Sequence, residues 1–276
     1  MKRSHRLVAL TNYFLTHPHE LVQLSYFADK YTSSKSSISE DLTIIDHMFQ
    51  QEGVGFLKRT SGATGGIRYI PLGAKDEIEK FIHELCDLLK DPERILPGGY
   101  LYMSDLLGNP GIMRKIGHVF ATAFAHLDID VIMTVATKGI SLAHAVAYHL
   151  NKPVVTVRRD PKVTEGSSVS INYVSGSSRK IQTMVLPKRS LAEGANVCIV
   201  DDFMEAGGTI NGMTSLLAEF NAQVKAIGVL AEADDEEDER VIEDYLSLVK
   251  ITTVDVKNHY TKTIPGNLLP YLATKS

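Results

Sequence analysis

Tryptophan is missing altogether from the 276 residues, and cysteine occurs only twice, at Cys86 and Cys198. Two thiols in apolar surroundings cannot staple a small secreted scaffold, so a conventional core and a reducing compartment are expected. No apolar run approaches the ~20 residues that span a bilayer, and the opening MKRSHRLVALTNYF carries no cleavable signal pattern. The expected location is the cytoplasm. A large surplus of either sign of charge is missing too. The net value of −4 offers no argument for a nucleic-acid partner, although an average hides an uneven distribution. What remains is ordinary: 44% hydrophobic and 22% charged residues, in a length that allows one or two domains with an ample core.

The strongest signal is the run from Val197 to Ile210, VCIVDDFMEAGGTI. Its first four residues are all apolar, as expected of a strand buried on both faces of a parallel sheet. Asp201 and Asp202 follow at its carboxyl end, and a loop of small residues then closes on Gly207-Gly208-Thr209. Ile210, Met213, Leu216, Leu217 and Phe220 recur at helical spacing. An open α/β sheet presents its ligand site there, beyond the strand ends. Glycines let the backbone approach an oxyanion, and the first amides of the helix point at it. Paired acids above such a cradle suit a ligand with both a phosphate and vicinal hydroxyls. A sugar phosphate is the expected ligand.

The pattern resembles the signature of type I phosphoribosyltransferases, which bind phosphoribosyl pyrophosphate (PRPP): four apolar residues, two acids, two apolar residues and a small loop ending Gly-Gly-Ser/Thr. By that resemblance Asp201 and Asp202 take the ribose hydroxyls. Glu205, Ala206, Gly207, Gly208 and Thr209 line the 5-phosphate, with Phe203 and Met204 completing the PRPP-binding stretch.

The first third of the chain differs in character. Leu7, Leu10, Phe14 and Leu15 mark an amphipathic helix ending near His17-Pro18, and Leu24 to Tyr31 a second short one. After the polar turn 32–37, Ile38, Leu42, Ile45, Met48 and Phe49 line one face of a third helix. Val54–Thr60 and Ile67–Ile70 read as strands joined by a glycine-rich hairpin tip. Three helices followed by a hairpin make a winged helix, here over residues 1–73. That segment holds eight bases against six acids, a surplus too small to signal DNA by itself. Position says more. Lys35, Ser36, Ser37 and Ser39 begin the expected recognition helix, whose first residues reach base edges. Lys58, Arg59 and Arg68 sit on the hairpin, where phosphate contact is expected, and Arg3 belongs to the basic amino terminus. A small winged helix used for protein contacts is the plainer reading.

A connecting helix over Ala74–Leu89 and the breaks at Asp91-Pro92 and Leu96-Pro97-Gly98-Gly99 place the domain boundary within 74–99. Beyond it, helix (106–127), strand (130–135), helix (141–150) and strand (153–157) alternate, as parallel βαβ units do. The expected fold is therefore α/β: an N-terminal winged-helix domain, then a type I phosphoribosyltransferase-like domain with a central parallel sheet over 74–276. Two strand ends repeat the phosphate theme, Ala136-Thr137-Lys138-Gly139-Ile140 and Val157-Arg158-Arg159-Asp160-Pro161-Lys162. Each alone reads equally well as a solvated loop. With the 201–209 loop they look like a pyrophosphate clamp, and the resemblance assigns Thr137, Lys138, Gly139, Arg158 and Lys162 to pyrophosphate. PRPP normally arrives with Mg2+, which its diphosphate recruits. The polar stretch Val163–Lys180 sits where that family carries a lid, with Thr183–Leu186 closing a hairpin. Gln223–Leu230 is a further strand, and the acidic run Asp234–Glu239 is expected to precede a helix over Val241–Leu248. Thr252–Ser276 carries no pattern.

A winged helix ahead of a PRPP-binding domain resembles, across essentially the whole chain, the purine operon repressor family of Gram-positive bacteria. KRSHRLVALTNYFL, SSKSSISEDL, LPGGYLYMSDLLGNP, TVATKGISLA, DPKVTEGSSVSINYVSGSSRKIQTM and VDDFMEAGGTINGM carry the resemblance. It implies binding of double-stranded operator DNA, with PRPP as an inducer. Paired half-sites lead to the expectation of a homodimer, and guanosine polyphosphates, which carry a diphosphate, are expected competitors for the same loops. The resemblance also brings Tyr100 to the ligand. The alternative is an active purine phosphoribosyltransferase with an accessory winged helix. Glu205 falls where hypoxanthine-type enzymes carry an aspartate that contacts the base, a position fit for acid–base work. Against catalysis, the loop has Ala206 where many enzymes have threonine, and an enzyme has no need of a winged helix.

Overall fold

The computed structural model describes residues 1–62, 64–160, 166–174, 181–234 and 241–274. The chain divides into two compact units at Ala74. The first contains helices α1 (Arg3–Thr16), α2 (Leu24–Lys30) and α3 (Lys35–Gln51), then strands β1 (Gly55–Thr60) and β2 (Gly66–Pro71). Ser34 starts α3 by accepting from the Ser37 amide at 3.1 Å. Ile38, Leu42, Ile45 and Phe49 then repeat along one buried stripe, against Leu10 and Phe14 of α1 and Phe27 of α2. The two strands pair antiparallel from Gly55 opposite Pro71 to Thr60 opposite Gly66, and Val22 adds an antiparallel bridge to Ile67. This is the expected winged helix.

The second unit starts with α4 (Lys75–Leu89), α5 (Ser104–Leu107) and α6 (Pro110–Phe124). Asn109 caps α6 by accepting from the Gly111 and Ile112 amides, with Pro110 in the first turn. Strand β3 (Val131–Val135), α7 (Gly139–Leu150), β4 (Val154–Val157), β5 (Ser168–Val174), β6 (Ile181–Pro187) and β7 (Asn196–Met204) follow. The remainder is α8 (Gly208–Ala218), β8 (Gln223–Ala233), β9 (Leu246–Asp255), β10 (Tyr260–Pro265) and α9 (Leu268–Thr274). Six strands form one sheet in the order β10-β9-β8-β7-β3-β4, parallel throughout except for β10. Val197 to Val200 are buried at its centre. Among the described residues no helix is long and apolar enough to cross a membrane.

Two expectations change. The helix expected over Val241–Leu248 is absent. Residues from Leu246 onward are strand β9, parallel to β8, with Ser247 opposite Val229 and Val249 opposite Ala231. LSLVKITTVD is rich in β-branched residues, and this preference is realised by pairing with a partner distant in sequence. The tail without pattern then supplies the antiparallel edge strand β10 and a short final helix. The stretch expected as a lid contains strand β5, which closes a hairpin with β6 as anticipated. That hairpin packs on α8: a Cβ at Gly212 would lie 2.9 Å from the Tyr173 ring and 3.0 Å from the Met184 sulfur. The rest of the expected lid (163–165 and 175–180) and most of the acidic run (235–239) lie outside the described residues.

Candidate functional site

Three strand ends converge in the second unit. The loop after β3, the residues after β4 and the end of β7 line a cavity of about 580 Å³. It brings together Thr137, Lys138, Arg158, Asp201, Asp202, Phe203 and Thr209. Arg158 is held in place by its backbone, which exchanges hydrogen bonds with Val185 of β6 at 3.0 and 2.7 Å. A smaller recess of about 80 Å³ is lined by Phe203 through Ile210, so Met204, Glu205, Ala206, Gly207 and Gly208 surround it. Gly207 has φ +83°, which disfavours any residue with a side chain, and caps the start of α8. The first amides of an α-helix have no partner within it, and Gly208, Thr209 and Ile210 of this one line the recess, a ready seat for an anion. Gly139 opens α7 against the Thr134 hydroxyl, which is buried and has no hydrogen-bond partner.

The electrostatics are lopsided. Asp201 is only 4% exposed, and its Oδ1 accepts from the Asp202 amide at 3.0 Å. Burial, and then the neighbouring Asp202 charge, push its carboxyl well above the usual range. Burial also raises Asp202, while the Lys138 ammonium opposes that rise. Buried acids held at such a cost are typical of ligand-handling positions. Two carboxylates beside a lysine and two arginines can accept from vicinal hydroxyls on one side and neutralise phosphates on the other.

Not every expected residue joins this site. Tyr100 is 65% exposed on its loop and lines neither cavity, and Lys162 lies outside the described residues. Arg159 and Asp160 line the larger cavity although the sequence reading did not assign them to the ligand. Their adjacency to Arg158 was the available signal. Thr134 was missed because nothing in a strand sequence marks one hydroxyl as unpartnered.

In the first unit, Arg59 reaches from β1 to α3. Its Nη1 donates to Ser39 Oγ at 2.9 Å, and its Nη2 to Ser39 O at 3.2 Å and Thr43 Oγ1 at 3.0 Å. Lys35 and Arg59 line a concavity of about 410 Å³ together with Gln23, Ser25 and the glycines of the hairpin tip. Ser36 and Ser37 hydroxyls each lie 2.9 Å from Ser34 Oγ at the start of α3. Lys58 is directly opposite Arg68 across the hairpin, and the Arg68 Nε is buried without a partner. Like charges so opposed are destabilising until an anion joins them. Arg3 is engaged elsewhere: its Nε donates to Asp41 at 2.9 Å, beside Arg6 at 2.5 Å.

Residues 2–71 match the family model for the bacterial purine repressor N-terminal domain, and residues 103–261 match the phosphoribosyl transferase domain. The purine biosynthesis transcriptional repressor PurR of Bacillus subtilis is 57% identical over 270 residues, covering 98% of this chain and 94% of that protein. The purine biosynthesis transcriptional activator PurR of Lactococcus lactis is 45% identical over 97% of this chain and 98% of its own. Among solved structures, adenine phosphoribosyltransferase from Thermoanaerobacter pseudethanolicus aligns with a TM-score of 0.52 at 22% identity. That alignment covers 60% of this chain and 98% of the enzyme, and it speaks for the fold. A winged helix joined to a phosphoribosyltransferase-type sheet, with this identity sustained from end to end, means that the chain belongs to the bacterial purine repressor family.

Proposed function

We propose that the protein is a DNA-binding transcriptional repressor of purine biosynthesis genes, whose affinity for operator DNA falls when PRPP binds. Its phosphoribosyltransferase-like domain serves as a sensor in place of an enzyme. The observation that carries this reading is the meeting of Asp201 and Asp202 with Lys138 and Arg158 in one cavity, beside the glycine recess, in a chain that also holds a winged helix. Asp201 and Asp202 receive the ribose hydroxyls, residues 205–209 the 5-phosphate, and the 137–139 and 158–159 loops the diphosphate. Bound PRPP would bring Mg2+ with it, because its diphosphate recruits the ion. Among the described residues no group of three His, Cys, Asp or Glu side chains is placed to hold the ion alone.

The protein acts as a homodimer, because paired half-sites are read through two-fold symmetry. The start of α3 supplies base-edge contacts, and Lys58, Arg59 and Arg68 supply phosphate contacts. A hundredfold loss of DNA affinity on induction requires a coupling of about 2.7 kcal/mol, within the usual allosteric range. Guanosine polyphosphates present the same diphosphate chemistry and compete for the same loops.

Titration of a purine promoter fragment by fluorescence anisotropy, with and without PRPP and magnesium, tests the reading. Binding that PRPP weakens is expected, and DNA affinity indifferent to PRPP overturns it. Parallel incubation with PRPP and adenine, hypoxanthine, xanthine or orotate should release no pyrophosphate. Since the Lactococcus lactis relative is named an activator, transcription from the same fragment in vitro decides the sign of the output.

A further inference from the structure

A second cavity in the sheet-containing unit, at about 720 Å³, is larger than the one at the acid pair. It lies at the end of α6, the start of β8 and the segment 241–246 that leads into β9. Phe124, Ile227 and Leu246 give it apolar lining, joined by Tyr271 and by Tyr245, which is largely buried with its hydroxyl donating to Glu232. The Tyr271 hydroxyl meets His126 Nε2 at 3.3 Å. Burial and then the Asp244 charge raise the Tyr271 phenol, so that carboxylate is within electrostatic reach of the ring. Glu243 lines the same rim, while Lys225 is turned to Gln223 at 2.7 Å. The volume falls in the range of roughly 300–1,000 Å³ typical of small-molecule sites. Aromatic lining suits a planar ring, and rim carboxylates suit hydrogen-bond donors on its edge.

The lining of this cavity adjoins the phosphate recess. The Val241 amide donates to Ala206 O at 3.3 Å, and Ile242 lies 3.3 Å from where a Cβ at Gly207 would be. Thr214, from the helix that begins at the recess, also lines the cavity. A ligand there touches the segment that backs the anion loop.

We infer that this cavity is a second ligand site, for a planar heterocycle bearing exocyclic amino groups, whose occupancy changes the affinity of the phosphate loop for PRPP. The coupling half of this inference rests on the PRPP reading above. The site itself does not.

Calorimetry of the full chain with adenine as the probe tests it, with hypoxanthine as the analogue that lacks the amino group. Adenine should bind, hypoxanthine should bind about tenfold more weakly, and Tyr271→Ala should weaken adenine by a similar factor. Thr214→Phe, which fills the cavity where Tyr271→Ala empties it, should give the same loss. Asp202→Asn should leave adenine binding intact. Saturating adenine should shift the PRPP Kd at least about threefold, and PRPP should shift the adenine Kd by the same factor. Absence of adenine binding overturns the inference, as does adenine binding that survives both cavity variants or vanishes with Asp202→Asn. PRPP affinity unmoved by bound adenine also overturns it. Failure of PRPP to bind in the absence of adenine sinks the functional reading instead, and the adenine titrations still decide the site.

Discussion

Each unit buries a carboxylate on its functional element, and the two are treated in opposite ways. Asp41, on α3, is wholly buried but receives Arg6 and Arg3 on its two oxygens. Asp201, on β7, is almost as buried, has another acid beside it, and is pushed toward its neutral form. A paired buried charge is a fastening. A buried acid beside a second acid and a cavity is a group waiting for a ligand. The contrast separates what holds the winged helix together from what the sheet unit is built to receive.

The largest effect should come from undoing the fastening. Asp41→Ala leaves Arg6 buried and uncompensated, at a cost of about 3–5 kcal/mol. Hydrogen exchange of peptides from α1 and α3 should rise sharply, and operator binding should be lost with PRPP binding intact. Slow exchange in that variant would show that the pairing carries no stability and would erase the contrast.

Asp201→Asn with Asp202→Asn should do the reverse. Hydrogen bonds to charged groups contribute about 1.5–3 kcal/mol each, so PRPP affinity measured by calorimetry should fall at least about a hundredfold. Operator affinity and Tm should hold or rise. The pH dependence sharpens this. Both folded carboxyls keep their protons to higher pH than the unfolded chain does. Their contribution to stability is therefore complete below the unfolded pKa, near 4, and is lost as pH rises through the folded value. The double variant should flatten that decline in Tm, and an unchanged profile would show that the pair carries no such cost.

The smallest effect concerns the hairpin. Lys58→Ala should make the salt slope of operator binding shallower by about 1. It should also stabilise the free protein by roughly 0.2–1 kcal/mol by removing the charge opposite Arg68. A loss of stability would mean that the two cations are not in conflict before DNA arrives.

Much of the candidate site was legible because it is local in sequence. Strand, paired acids, small loop and helix run consecutively from Val197 to Phe220, and each piece carries its own periodicity. The winged helix was legible for the same reason, with capping serines and a stripe spaced at helical intervals. What escaped depends on distant partners. Strand β9 forms because β8 lies beside it, so Val241–Leu248 read alone supported the wrong element. Asp41 is held by Arg3 and Arg6 of another helix, a pairing that no local pattern on α3 announces. Segment 241–246 acquires meaning only where Ile242 reaches Gly207.

The missing side chain at Gly212 sets a dimension. A single methyl there would have to displace both the Tyr173 ring and the Met184 sulfur, so the thickness of the layer between α8 and its overlying hairpin is fixed to within one carbon. Val185, next along that hairpin, is hydrogen-bonded to Arg158. A side chain at 212 would therefore press on the hairpin whose backbone holds Arg158, although Gly212 itself lines neither the ligand cavity nor the recess.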